Sequence, residues 1–147
     1  MLIAAESCTG GLLAATCTSL AGSSRWFDRG YVTYSNQAKQ EMLGVDEKLI
    51  EHYGAVSEEV AQAMAIGAYR AAGSENRIAV SVTGIAGPDG GSAEKPVGTV
   101  WMGYADQQGV SCQLLQLDGT RSEIREQTVI QALQLLVVRT TPSLSID

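Results

Sequence analysis

Histidine is almost missing from this chain of 147 residues, where His52 stands alone. One imidazole leaves little room for a Ser-His-Asp triad, and with neither a Cys-x-x-Cys nor a His-Glu-x-x-His spacing a zinc site would lack its usual ligands. No metal and no cofactor is therefore expected. His52 follows Glu51 at what reads as an exposed helix end, a surface position. Cysteine is scarce too: Cys8, Cys17 and Cys112 are an odd number at unrelated spacings, which fits reduced thiols rather than a disulfide framework. Cys17 and Cys112 read as small core residues. Positive charge is short, with 10 Lys and Arg against 16 Asp and Glu, a net charge of −6. That balance argues against the broad basic patch nucleic-acid binding needs, but leaves room for a small anionic ligand met by local cations and backbone N–H groups. No apolar run approaches the roughly 20 residues of a membrane helix, and the first residues lack a basic segment ahead of a cleavage site. The expectation is a cytoplasmic protein with no membrane or nucleic-acid partner. Its 45% hydrophobic residues can fill the core of one globular domain spanning 1–147, without repeats or low-complexity segments.

What the chain does have begins at Ala4-Ala5-Glu6-Ser7-Cys8-Thr9-Gly10-Gly11. An apolar run ends there and a helix-forming run begins, so the stretch reads as strand, tight turn and helix, with its polar residues at the strand's carboxyl end. Open α/β sheets bind ligands at that end. Gly10 and Gly11 permit a sharp turn that would leave the first helical N–H groups uncovered for a phosphate or a developing oxyanion, with Ser7 beside them. The plainer alternative is that Ser7 or Thr9 caps the helix.

In chain order, the first helix is predicted over residues 9–20, ending at Ala21-Gly22-Ser23-Ser24. Trp26 and Phe27 are bulk for the core or for a subunit contact. Residues 30–34 form a second predicted strand, and Asn36 caps a helix through Met42. Tyr34 would then be the strand's last residue and Lys39 would lie one turn into the helix, so both can reach one spot above the sheet. A short helix near residues 46–52 is closed by Gly54. Ser57 caps the next helix, whose small-residue face is Ala61, Met64, Ala65, Ala68 and Ala72. Residues 73–76 read as a loop and residues 78–82 as a central buried strand.

A second glycine-rich segment follows: Thr83-Gly84-Ile85-Ala86-Gly87-Pro88-Asp89-Gly90-Gly91-Ser92. It matches neither the dinucleotide fingerprint nor a P-loop. It is either a plain mobile loop or, because it too leaves a buried strand's carboxyl end, part of a site to which Lys95 brings a cation. Residues 97–105 and 110–117 are predicted as an antiparallel pair joined by Asp106-Gln107-Gln108-Gly109. The last helix opens with the capping box Thr120-x-x-Glu123. Arg121 and Arg125 lie one turn apart near its start, as a solvated face or within reach of a ligand, and residues 140–147 read as a loose tail. The element order implies a three-layer α/β/α domain with a mixed sheet of about five strands.

Ala-Glu-Ser-Cys-Thr-Gly-Gly at 5–11, Gly-Tyr-Val-Thr-Tyr-Ser-Asn-Gln-Ala-Lys at 30–39, Gly-Ala-Val-Ser-Glu-Glu-Val at 54–60, Val-Thr-Gly-Ile-Ala-Gly-Pro-Asp-Gly-Gly at 82–91 and Lys-Pro-Val-Gly-Thr-Val at 95–100 resemble the family of the CinA carboxyl-terminal domain. The resemblance runs over nearly the whole chain, apart from the helix that usually precedes the first strand and the amino-terminal domain of the larger CinA proteins. It implies an α/β/α fold, hydrolysis of the carboxamide of nicotinamide mononucleotide to nicotinate mononucleotide and ammonia, and a catalytic Ser, Tyr and Lys at Ser7, Tyr34 and Lys39. The chemistry agrees, since an amide needs a nucleophile, a base, oxyanion donors and an acid for the departing ammonia. Lys39 or Tyr34 is the available base, and N–H groups around Cys8 to Gly10 would hold the oxyanion. Cys8, Thr9, Gly10, Gly11, Thr83, Gly84, Gly87, Asp89, Gly90, Gly91 and Lys95 are the candidate substrate-binding residues. The expected partners are a pyridine mononucleotide and further copies of the chain in a homo-oligomer. Two other readings stay open: a non-catalytic nucleotide-binding or regulatory module, and a cysteine hydrolase using Cys8.

Overall fold

A computed structural model describes residues 1–73 and 76–140. Five strands, β1 (Leu2–Glu6), β2 (Phe27–Val32), β3 (Ile78–Gly84), β4 (Thr99–Asp106) and β5 (Gly109–Gln116), form one mixed sheet in the order β2-β1-β3-β4-β5. β1 runs parallel to β2 and β3, whereas β4 and β5 are antiparallel additions. Alternate strand residues supply opposite faces. Leu2, Ala4, Val80 and Val82 meet α1 (Leu12–Thr18) and α5 (Arg121–Thr140) on one side; Ile3, Ala5 and Ala79 meet α2 (Asn36–Leu43), α3 (Glu47–Tyr53) and α4 (Glu58–Ala71) on the other. The result is the three-layer α/β/α arrangement and the five-stranded mixed sheet expected from the element order. The loop expected at 73–76 includes residues 74 and 75, and the loose tail expected at 140–147 includes residues 141–147; all nine lie outside the described residues, and Thr140 is the last residue of α5.

The small face of α4 explains its close seat on the sheet. Ala61, Met64, Ala65 and Ala68 are fully buried, and the Ser81 hydroxyl donates to the Ala61 carbonyl at 2.6 Å. Gly103 on β4 makes that approach possible, since a Cβ there would stand 2.5 Å from the Ala61 oxygen.

Three sequence expectations shift. β2 covers 27–32 rather than 30–34, so Tyr34 lies two residues past the strand in the connection to α2. β2 is an edge strand with one side open to water, and its polar start at Asp28 and Arg29 is compatible with pairing there. Ser35 rather than Asn36 caps α2, its hydroxyl accepting from the Ala38 N–H at 3.0 Å. α1 begins at Leu12 instead of Thr9, because Gly10 and Gly11, at φ +56° and +100°, form the preceding turn. The Ser57 cap of α4 and the Thr120/Glu123 box of α5 form as the sequence predicts.

Candidate active site

The turn after β1 is organised by a carboxylate. Glu6 is fully buried and points to the α1 side of the sheet, where Oε2 accepts from the N–H groups of Gly11 and Leu13, both at 3.0 Å, and Oε1 accepts from Ala14 at 2.8 Å. Glu6 thus supplies the anion favoured at a helix N-terminus. This corrects the expectation that these N–H groups stand free for a ligand, and it also displaces Ser7 and Thr9 as caps of α1. The Gly10 N–H is taken by the Ser7 carbonyl and the Leu12 N–H by the Thr9 carbonyl. The N–H groups of Cys8 and Thr9 donate to no other residue among those described. Arg125 of α5 reaches back to the Thr9 carbonyl at 2.9 Å and holds the turn from outside.

Since successive side chains alternate, Ser7 points the opposite way from Glu6, toward α2. There it meets Lys39, whose Nζ lies 3.0 Å from Ser7 Oγ, 3.0 Å from the Thr33 carbonyl and 3.3 Å from the Tyr34 carbonyl. Lys39 is only 1% exposed, and among the described residues no carboxylate pairs with it. Burial disfavours the ammonium form and lowers its pKa from the ordinary lysine value. Nζ donates to all three, the two carbonyls and Ser7 Oγ; loss of one proton keeps two N–H bonds for the carbonyls and turns a lone pair to the Ser7 hydroxyl.

Tyr34 takes a different position. It is 59% exposed, and its hydroxyl accepts from Arg121 Nη2 at 2.8 Å, while Arg121 Nη1 donates to the Gly87 carbonyl at 2.8 Å. Together with Asn36, Ala55, Val56, Thr83, Gly84 and Ala86, these residues line a cleft of about 220 Å³ that contains Ser7, Cys8 and Lys39. The carboxyl ends of β1 and β3 and the connection after β2 therefore converge on one cavity, as the parallel strands require. Cys8 borders this cleft, but its side chain packs into the core beneath α1 and α5, where burial, and secondarily Glu6, push its thiol up to about 11.

Other candidates sit elsewhere. Thr9 is fully buried, Gly10 and Gly11 have their N–H groups occupied, and Gly87, Asp89, Gly90 and Gly91 do not line the cleft, although Gly87 anchors Arg121. Lys95 donates to the carbonyls of Tyr53 and Val56, both at 2.8 Å. Sequence reasoning named Glu6, Asn36, Ala55, Val56 and Ala86 only within longer stretches or as a cap, not as site residues, and left Arg121 undecided. The capping box placed Arg121 at the first turn of α5, yet nothing local told which strand end that turn faces. Among the described residues no group of three or more His, Cys, Asp or Glu is placed to hold a metal ion, and no helix is long and apolar enough to cross a membrane.

Residues 1–139 match the model of the CinA C-terminal domain. The chain is 60% identical over 131 residues to the nicotinamide-nucleotide amidohydrolase PncC of Enterobacter agglomerans, covering 88% of this chain and 79% of that protein. It is 53% identical over 133 residues to the protein of the same name from Escherichia coli K12, covering 90% and 79%. Among solved structures, the competence/damage inducible protein CihA from Agrobacterium tumefaciens superposes with a TM-score of 0.91 at 48% identity, covering 96% of this chain and 86% of that one. With a family model matched over almost its whole length, and relatives this similar, the chain belongs to the CinA C-terminal domain family.

Proposed function

We propose that this protein hydrolyses the carboxamide of nicotinamide mononucleotide, releasing nicotinate mononucleotide and ammonia, with Ser7 as nucleophile and Lys39 as its base. The observation that carries the reading is the buried Lys39 amine 3.0 Å from Ser7 Oγ; the names of relatives at 53% and 60% identity supply the substrate class. Tyr34, the other candidate base, is bonded through its hydroxyl to Arg121 and not to Ser7, so it and Arg121 are assigned to holding the substrate over the nucleophile.

Ser7 Oγ attacks the carboxamide carbon as its proton passes to Lys39 Nζ. The tetrahedral oxyanion is held by the N–H groups of Cys8 and Thr9, the two in the turn that no other residue occupies. Lys39 then returns the proton to the departing ammonia, leaving an ester on Ser7. A water that gives its proton to Lys39 attacks that ester, the bond from the acyl carbon to Ser7 Oγ breaks, and Lys39 returns the proton to Oγ as the nicotinate product leaves. A cysteine mechanism is disfavoured, because a thiol with a pKa of about 11 carries little thiolate near neutrality and Cys8 is packed into the core. Trp26, just ahead of the edge strand β2, and Val32 at that strand's end are exposed and support a homo-oligomer, which light scattering on the eluting protein would test. The three free thiols fit a reducing cytoplasm. The function is tested by ammonia release over a panel of pyridine nucleotides. Turnover of nicotinamide mononucleotide supports it, and a protein that binds the nucleotide without releasing ammonia is instead the regulatory module.

A further inference from the structure

One wall of the cleft is the stretch of residues 53–56, from the last residue of α3 into the irregular link to α4, whose Ala55 and Val56 line the cavity. All four of its carbonyls accept from side chains. Tyr53 and Val56 share Lys95 Nζ at 2.8 Å each, Gly54 accepts from the Ser57 hydroxyl at 2.9 Å, and Ala55 accepts from the Thr83 hydroxyl at 2.8 Å. A loop without a ladder has to find such partners to hold one conformation. Lys95 is the longest of these tethers. It stands at the end of the glycine-rich loop, its own N–H fixed by the Ser92 hydroxyl at 3.0 Å, and crosses to a segment some forty positions earlier in the chain.

We propose that Lys95 is a positioning residue of the proposed deamidase site: its ammonium does not grip the substrate's phosphate but straps residues 53–56 against the glycine-rich loop and so sets the wall on which the substrate rests. Two of its three N–H donors are spent on the carbonyls of this wall, which fixes its ammonium there, and the proposed catalytic pair Ser7 and Lys39 hangs on β1 and α2, with no bond to this wall among the described residues. Loosening the wall therefore weakens ground state and transition state alike, which raises KM and leaves kcat in place.

The inference rests on the deamidase reading, so the experiment first measures ammonia release from nicotinamide mononucleotide by the unaltered protein; no release there fails that reading and withdraws the role of Lys95 with it. Given release, Lys95→Met, which keeps the aliphatic stem, is expected to raise KM about tenfold with kcat within about threefold, and Lys95→Arg, which can still donate to both carbonyls, to recover most of the loss. Affinity for nicotinate mononucleotide and for its phosphate-free nucleoside, read by competition, is expected to fall by the same factor in Lys95→Met. Hydrogen exchange across residues 53–57 is expected to quicken. A loss confined to the phosphorylated ligand would make Lys95 a phosphate contact, and a fall in kcat at constant KM would make it part of the chemistry; either overturns the proposal, as does a Lys95→Met protein with unchanged kinetics.

Discussion

The turn after β1 and the loop after β3 look alike in sequence: each is glycine-rich, each carries hydroxyl residues, and each leaves a buried strand at its carboxyl end. In three dimensions they do opposite work. The first turn is short and largely tied down, with the N–H groups of Gly11, Leu13 and Ala14 spent on Glu6 and the carbonyl of Thr9 held by Arg125; what it leaves toward the cleft is Ser7, with Cys8 at the border, and the N–H groups of Cys8 and Thr9. The second is long, and its glycines at 87, 90 and 91 stand away from the cleft. It contributes through its first residues and its end instead, with Thr83, Gly84 and Ala86 as lining, the Gly87 carbonyl holding Arg121, and Lys95 as tether at the far end. Glycine content marks where a chain turns, whereas the destination of each N–H and carbonyl decides whether the turn can take a ligand.

Substitutions at five positions test that contrast. The largest effect is expected at Ser7: Ser7→Ala should lower ammonia release by roughly four orders of magnitude or more while leaving product binding within a few-fold. Cys8→Ala, one residue on, should retain most of the activity; the reverse pattern in a discontinuous ammonia assay would install the cysteine instead.

Next comes Lys39. Lys39→Met and Lys39→Arg are each expected to cost about two to four orders of magnitude in kcat, the first by removing the base and the second by keeping it charged. In the proposed mechanism the active form is the neutral amine, and burial lowers its pKa below the ordinary 10.5, so kcat/KM should rise with pH along a limb centred below that value. The same shift has a stability sign. The folded state disfavours the ammonium, which costs stability below the folded pKa, and this penalty is relieved as pH rises from that pKa toward 10.5. A pH–rate profile lacking this limb would remove Lys39 from the proton transfer.

Glu6→Gln should act in the middle range. Its amide nitrogen must face an N–H that the carboxylate now accepts, so a stability loss of about 2 kcal/mol is expected in denaturant unfolding, together with a kcat reduced by roughly tenfold as the Ser7 turn loosens. An unchanged midpoint would mean that the α1 N-terminus finds other partners. The smallest effect belongs to the second loop: Asp89 is exposed and off the cleft, and Asp89→Ala should leave kcat/KM within about threefold, so a larger loss would bring that part of the loop into the site.

Much of this architecture was legible in the chain. The period-2 and helical patterns gave the layers and the number of strands, the small face of α4 announced a close helix–sheet contact, and the caps at Ser57 and Thr120 sat where the structure has them, because each depends on residues within a few positions. Ser7, Tyr34 and Lys39 could be singled out as strand-end and helix-start residues on the same grounds. Glu6 could not, for it reads as the last residue of an apolar strand, and its side chain finds α1 only when the turn folds the chain back. Nor could Arg121, which reaches Tyr34 across 87 positions, or Lys95, whose apparent availability as a cation vanishes once two carbonyls lie beside it.

The sequence by itself determined the residue types at the strand ends and the alternation of strands and helices, since local periodicity and turn chemistry suffice for both; the parallel pairing of β1 with β2 and β3, which brings those ends to one edge, came with the fold. The tertiary structure alone decided which of the polar groups are spent on the protein and which are left for chemistry. A buried ammonium or carboxylate takes its pKa and its partners from whatever packs around it, and those neighbours come from distant parts of the chain.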